Sequence, residues 1–268
     1  MGYSFRLFNW IGVLTLFTLN PSTFANEINW KLPQRAQKAQ QGSQFLESLK
    51  GLPHGKIEAK ILREIAGGNV PEFLRKLVPV AVNLKSGGTA TVYVTPDYIG
   101  VGDSENFVRL PMSLPAAMKL ARQFGLSLPN KVLVDAIYNQ ANLKLRPRPL
   151  PPVTSKMTKP AYWAQHHSII SRQLNGQGYT LLAGHKKDIL QPSLRGDPRL
   201  TIYGWHRSHG NPIQPESRAH GKDYVDYSHG VRLVSKKAFL NGRMIPLNTV
   251  LKRLSSSQPK VIGDGKLW

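Results

Sequence analysis

Three short blocks concentrate the side chains that can move protons: A-G-H-K-K-D (183–188), I-Y-G-W-H-R-S-H-G (202–210) and D-Y-S-H-G (226–230). Six of the eight histidines lie in these blocks or on the segment K-P-A-Y-W-A-Q-H-H-S-I-I-S-R-Q-L-N-G (159–176). In each block an apolar run of strand character meets glycine and histidine at one end. There a side chain can leave a sheet for a cleft, and glycine lets a second group approach the backbone. If the three strands are neighbours, His185, His206 and His229 converge as catalytic candidates, with Asp188 and Tyr227 beside them. Lys186, Tyr203, Arg207 and Arg232 are then the substrate-binding candidates. A single histidine on an apolar face is more often a hydrogen-bonded core residue, so the recurrence is what motivates a catalytic reading.

The stretch D-Y-V-D-Y-S-H-G-V-R-L-V-S (223–235) tests the simplest chemistry. Strand alternation puts Tyr227, His229, Val231 and Leu233 on one face and Asp226, Ser228, Arg232 and Val234 on the other. Ser228 and His229 therefore point apart, and no G-x-S-x-G elbow is present, so a local serine triad has no support. The chain has no cysteine, which excludes thiol catalysis, iron–sulfur clusters and thiolate zinc sites. Histidine with carboxylate is a normal zinc shell, so zinc is admitted by the residue types while the cofactor stays unknown. The segment S-R-A-H-G-K-D-Y-V-D (217–226) resembles the Ser-x-His-x6-Asp pattern of zinc D,D-carboxypeptidases. It departs from it in three ways: His220 to Asp226 is one residue short, Trp205-His206 precedes the block, and no glutamate stands just ahead of G-W-H. No role is carried over from that family.

Metal-free elimination from an acidic sugar needs a cation on the carboxylate, a His or Tyr base and a Tyr or Lys acid. Lys186, Lys187, Arg207, Arg218, Arg232, Tyr203, Tyr224 and Tyr227 supply those types. Glycosidase chemistry needs two carboxylates; the acids after the proline-rich stretch are Asp188, Asp197, Glu216, Asp223, Asp226 and Asp264, and a pair such as Asp188 with Asp226 stays open.

Charge narrows the surroundings. The formal net charge is +21 and the chain carries 36 Lys and Arg against 15 Asp and Glu, a balance suited to an anionic polymer or wall surface. Residues 1–25 read as a signal peptide: Arg6, an apolar run from Leu7 to Leu19, then T-F-A with cleavage expected after Ala25. That run is shorter than the ~20 residues a spanning helix needs, and no later segment is apolar enough to span. The expected location is exported, periplasmic or secreted, and for such a protein nucleic acid is not an expected partner.

The elements that must position these residues follow from periodicity. Residues 26–44 are polar and read as a flexible arm. K-I-E-A-K-I-L-R-E-I-A-G-G (56–68) spaces Ile57, Ile61, Leu62 and Ile65 as a helix and ends in glycines suited to a left-handed cap. Pro71 opens a second, short helix. From Thr89 a period of two predicts two or three strands of a small antiparallel sheet. Two S-L-P blocks, at 113–125 and 127–141, each read as a helix capped by serine. R-P-R-P-L-P-P (146–152) is an extended connection, followed by a helix over 159–176 and then mainly strands. Asn241-Gly242 marks a hairpin, Asn248 is a candidate cap for a last helix, and 255–268 reads as a loose tail.

The expected fold class is α+β: a helical N-terminal part with a small antiparallel sheet (45–145), a proline-rich connection, and a mainly antiparallel His-rich β lobe (146–254). As a whole the chain resembles a group of uncharacterised exported bacterial proteins that carry A-G-H-K-K-D, Y-G-W-H and D-Y-S-H-G after an S-L-P helix, here S-L-P-N-K-V-L-V-D. The resemblance implies export and one continuous architecture, and no activity. The functional expectation is an exported enzyme acting on peptidoglycan or an acidic polysaccharide by His-based hydrolysis or elimination. Its alternative is a non-catalytic cationic module that binds such a polymer.

Overall fold

The computed structural model describes residues 28–178, 180–192 and 199–258, and the backbone of 261–262 and 266–267. The leader read in residues 1–25, and Asp197 and Asp264, lie outside the described residues. The fold is α+β, with most helices in the N-terminal part and most strands in the C-terminal part. No helix among the described residues is long and apolar enough to cross a membrane.

Helix α1 (Gly42–Glu47) and helix α2 (His54–Ala66) come first; α2 buries Ile57, Ile61 and Ile65 on one stripe. Gly68 closes α2 at φ +81°, and Asn69 N–H reaches back to Glu64 O, as a left-handed cap requires. The Pro71 segment forms only a 3-10 turn, Glu72–Arg75. The 26–44 arm is anchored at its described start. Ile28 and Trp30 are buried in the main core, and Trp30 Nε1–H donates to Leu74 O at 2.9 Å.

A five-stranded sheet orders β1 (Val78–Asn83), β2 (Thr89–Val94), β12 (Val234–Leu240) and β13 (Arg243–Pro246), with β5 (Leu126–Ser127) also on β12. It draws strands from both sides of the proline-rich stretch. The V-P-V-A-V-N strand was not foreseen; Pro79 fits because β1 is an edge. β3 (Gly100–Gly102) and β4 (Phe107–Arg109) form the separate small hairpin. Asn241 and Gly242 both have positive φ, +50° and +72°, which is the two-residue turn that joins β12 to β13.

Helix α3 (Leu114–Gln123) is capped by Ser113, whose Oγ accepts from Ala116 N–H. The second S-L-P block differs: Ser127 lies in β5, and helix α4 (Lys131–Gln140) is capped by Asn130, whose Oδ1 accepts from Leu133 N–H at 2.9 Å. β6 (Leu143–Lys144) pairs in parallel with β7 (Leu182–Ala183). Between them run α5 (Thr154–Met157) and α6 (Pro160–Ser171). Tyr227 pins the extended proline segment, its hydroxyl oxygen accepting from Leu150 N–H at 2.8 Å.

The second sheet orders β10 (Pro212–Ser217), β9 (Ile202–His206), β8 (Lys187–Ile189) and β11 (His229–Gly230). The three histidine blocks therefore do lie on neighbouring strands, with β11 parallel to β8. Helix α7 (Leu247–Leu251) has Pro246, not Asn248, at its N-cap. The start of the C-terminal tail is packed: Gln258 is 8% exposed, and its Oε1 accepts from Asn83 N–H at 3.0 Å.

Candidate functional site

Strand β9 carries a distortion that decides what its histidine meets. Gly204 and Trp205 both have positive φ, +111° and +56°. In a regular strand Tyr203 would share a face with Trp205 and point away from His206. The left-handed pair breaks that alternation. Trp205 turns under Lys187, whose Nζ stands 5.0 Å from the ring centroid. Tyr203 and His206 then share one face, with ring centroids 5.6 Å apart. Positive φ at a bulky residue costs about 1–3 kcal/mol and persists only where the surroundings enforce it.

Both side chains meet one acid on α4. The Tyr203 hydroxyl donates to Asp135 Oδ1 at 2.7 Å, and His206 Nε2 lies 3.3 Å from the same oxygen. A carboxylate only accepts, so Nε2 carries the proton and Nδ1 is left as the basic nitrogen. A Cβ at position 204 would stand 3.5 Å from Nδ1; glycine leaves that ring edge uncovered. Tyr138, one turn along α4, stacks on His206 at 4.4 Å and 17°. Burial, followed by the bond to Asp135, raises the Tyr203 phenol well above its ordinary value, so it remains a proton donor. Asp135, Tyr138, Tyr203 and His206 border a cavity of about 320 Å³, closed on one side by Ser256–Gln258 of the tail. Lys131 Nζ lies 4.0 Å from Asp135 Oδ2 and sits over the Tyr203 ring.

Arg207 follows directly and is exposed. With Arg146 and His209 it borders a second cavity of about 360 Å³, held beside the first by the bond from the Tyr138 hydroxyl to Arg207 O, 2.7 Å. A third cavity, about 300 Å³, adds Lys131 and Arg218 at the other end of β9.

The remaining histidines do not join His206 on this cavity. His185 is fully buried; its Nε2 is 3.1 Å from Asp97 Oδ1, and Arg109 pairs with the other oxygen at 2.6 Å. Burial lowers the His185 pKa to about 4 against the pull of Asp97, while Arg109 and His185 hold Asp97 well below the usual carboxylate range despite its burial. His229 is 1% exposed, and neither ring nitrogen has a partner among the described residues. Burial takes it to about 3 against Asp226. Each of the three imidazoles thus sits with a different acid, and of the three only His206 borders one of these cavities.

The other candidates are mostly structural in placement. Lys186 is 1% exposed and donates to Tyr227 O at 2.5 Å; burial brings it down to about 7. Arg232, also 1% exposed, donates to Thr95 O and Leu182 O, both at 2.7 Å. Asp188 accepts from the Tyr98 hydroxyl at 2.8 Å, and burial raises it to about 6 against Arg232. Tyr227 holds the proline segment. Asp226 is a turn hub, its Oδ1 accepting from Ser228 N–H (2.7 Å) and Ser228 Oγ–H (2.8 Å). The D-Y-S-H-G stretch is therefore a locked polar turn.

No family model matches this chain, and no curated protein or solved structure matches it either. Among the described residues, no group of three or more His, Cys, Asp or Glu could hold a metal ion.

The sequence candidates do not include Asp135 and Tyr138, since the second S-L-P block reads only as a capped helix. A signal was present: Lys131, Asp135, Tyr138 and Asn139 fall at i, i+4, i+7 and i+8, a polar stripe beside the buried Leu133, Val134, Ala136 and Ile137. Nor do the candidates include Asp97, which follows the strand Thr89–Val94.

Proposed function

We propose that this protein is an exported enzyme that acts on an anionic envelope polymer, with His206 as the general base. The observation that carries this reading is the His206–Asp135–Tyr203 group at an open polar cavity, held by a strained β9. Asp135 orients the imidazole through Nε2 and stabilises the imidazolium that forms when Nδ1 takes a proton. That proton comes from water in hydrolysis, or from the carbon next to a sugar carboxylate in elimination. Arg207, Arg146 and Lys131 flank the cavity and would neutralise the substrate's acid groups. The +21 charge supports an anionic partner.

The test is product release from peptidoglycan and from polygalacturonate. His206→Ala and Asp135→Asn should each cut turnover by about 10²–10⁴-fold with substrate binding retained. Unsaturated uronate ends would identify elimination, and new reducing or amino ends hydrolysis. The rival module reading is favoured by the spread of cationic cavities along β9. Binding that falls as Arg146 and Arg207 are removed, with no product from either polymer, would support it and end the enzyme reading.

A further inference from the structure

A further cavity, on α6 and away from β9, is lined by hydroxyl groups. It measures about 470 Å³ and shares no lining residue with the His206 cavity; among its walls are Ser43, Leu46, Phe107, Ser168, Ser171 and Arg172, and Glu105 is the one acid that also borders it. His167 also borders it, and its protonation pattern fixes what the serines can do. The Arg109 backbone N–H points at His167 Nδ1 (3.2 Å), so Nδ1 accepts and Nε2 carries the hydrogen. Burial, and then Arg109, depress the His167 pKa and keep the ring neutral. Nε2–H therefore donates to Ser171 Oγ at 3.2 Å. This is the wrong direction for activating a serine nucleophile, so Ser171 and His167 are not a catalytic pair.

Ser171 Oγ also accepts from Arg109 Nη1 at 3.2 Å. With both acceptor positions filled, one by a guanidinium, its own O–H can only donate, and no described residue accepts it. Two further serines of this cavity each fill one of their two acceptor positions. Ser168 Oγ accepts from Arg172 Nη1 at 3.2 Å, and Ser43 Oγ accepts from Asn106 Nδ2 at 2.9 Å. Neither hydroxyl hydrogen has an acceptor among the described residues. Three serine hydroxyls that already accept thus border one cavity, with the Arg172 guanidinium at its rim and Leu46 and Phe107 as apolar wall.

From this we infer that the α6 cavity binds a small ligand through an oxyanion, a carboxylate or phosphate, that accepts from Ser43, Ser168 and Ser171 and pairs with Arg172. Donors aimed at an ionised acceptor form the stronger class of hydrogen bond, and a neutral hydroxyl would return much less. The apolar wall takes the uncharged body of the ligand.

The experiment is calorimetric titration of the full mature chain with galacturonate, with galactose as its neutral counterpart, and with inorganic phosphate. Galacturonate or phosphate should saturate one site, with galactose at least about tenfold weaker. Ser171→Ala and Arg172→Gln should each weaken the anion about tenfold or more. Ser43→Ala, at an exposed position of helix α1, does the same without touching the core, which separates lost binding from lost folding. His206→Ala should leave this binding intact, so failure of the catalytic proposal and failure of this site are distinguishable. Preference for galacturonate over phosphate identifies a sugar acid, and the reverse a phosphate group. Equal binding of galacturonate and galactose, no binding of either anion, or indifference to both the Ser43 and Ser171 substitutions overturns the inference.

Discussion

The Asp97–Arg109–His185 cluster permits a quantitative test of what holds the site-bearing strands. Asp97 and Arg109 are both 0% exposed, 2.6 Å apart, and Asp97 Oδ1 also accepts from Tyr98 N–H at 2.7 Å. Asp97→Asn keeps the side chain's shape and one acceptor oxygen while removing its charge. The cost is then the burial of an Arg109 guanidinium with no counter-charge, about 3–5 kcal/mol by comparison with other broken buried pairs. For a chain of this length each kcal/mol moves Tm by about 2–4 °C, so a drop of roughly 6–20 °C follows. Urea unfolding and thermal melting at pH 7 would measure it. Pairing Asp97→Asn with Arg109→Met removes the stranded charge and should recover more than half of the loss, since the penalty of a broken buried pair is chiefly the charge left without its partner. A loss under about 1 kcal/mol in the single variant, or a double variant no better than it, would refute the argument that the carboxylate matters chiefly as Arg109's counter-charge.

Other outcomes follow from the same geometry. A Cβ on Gly230 would meet the Tyr98 ring at 2.4–2.8 Å, so Gly230→Ala should displace Tyr98, break its bond to Asp188 and cost about 1–3 kcal/mol in urea unfolding. Stability should fall on acidification. His185 and His229 have folded pKa values of about 4 and about 3 against 6.5, so the unfolded chain binds more protons from about pH 6.5 down to those values, and denaturation midpoints should decline across that window. Asp188, raised to about 6, opposes this between pH 3.8 and 6 and leaves the histidines ahead; a flat profile from pH 7 to 4 would contradict it. Lys186, lowered to about 7 from 10.5, makes stability rise with pH between those values, and Lys186→Met should flatten that limb in urea melts at pH 7 and 9.

Local signals were the legible ones. The α2 stripe with its glycine cap, the Ser113 cap and the Asn241-Gly242 turn each depend on a few adjacent residues and appear as read. The sequence marked out three histidine blocks but left the adjacency of their strands as a condition, and the destinations of the side chains depended on backbone details that alternation cannot supply. A regular β9 would have sent His206 away from Tyr203; two left-handed residues reversed that. The partner acids were illegible for a different reason. Asp97 and Asp135 precede the proline-rich stretch, far in sequence from His185 and His206, and only tertiary packing brings them together. Ser127 and Asn130 compete to cap one helix, and pairing of Leu126–Ser127 with β12 settled the matter in favour of Asn130.

Strand β2 finds one neighbour nearby in β1, but its other neighbour is β12: Val94 pairs with Val234. Until the last eighth of the polypeptide arrives, β2 presents a bare hydrogen-bonding edge of Thr, Val and Tyr, a template for association with other chains. Assembly is accordingly dominated by distant contacts and should be slow. Chains cut short before Val234 should collect in aggregates, and any factor that shields β2 during synthesis should raise the yield of the complete molecule.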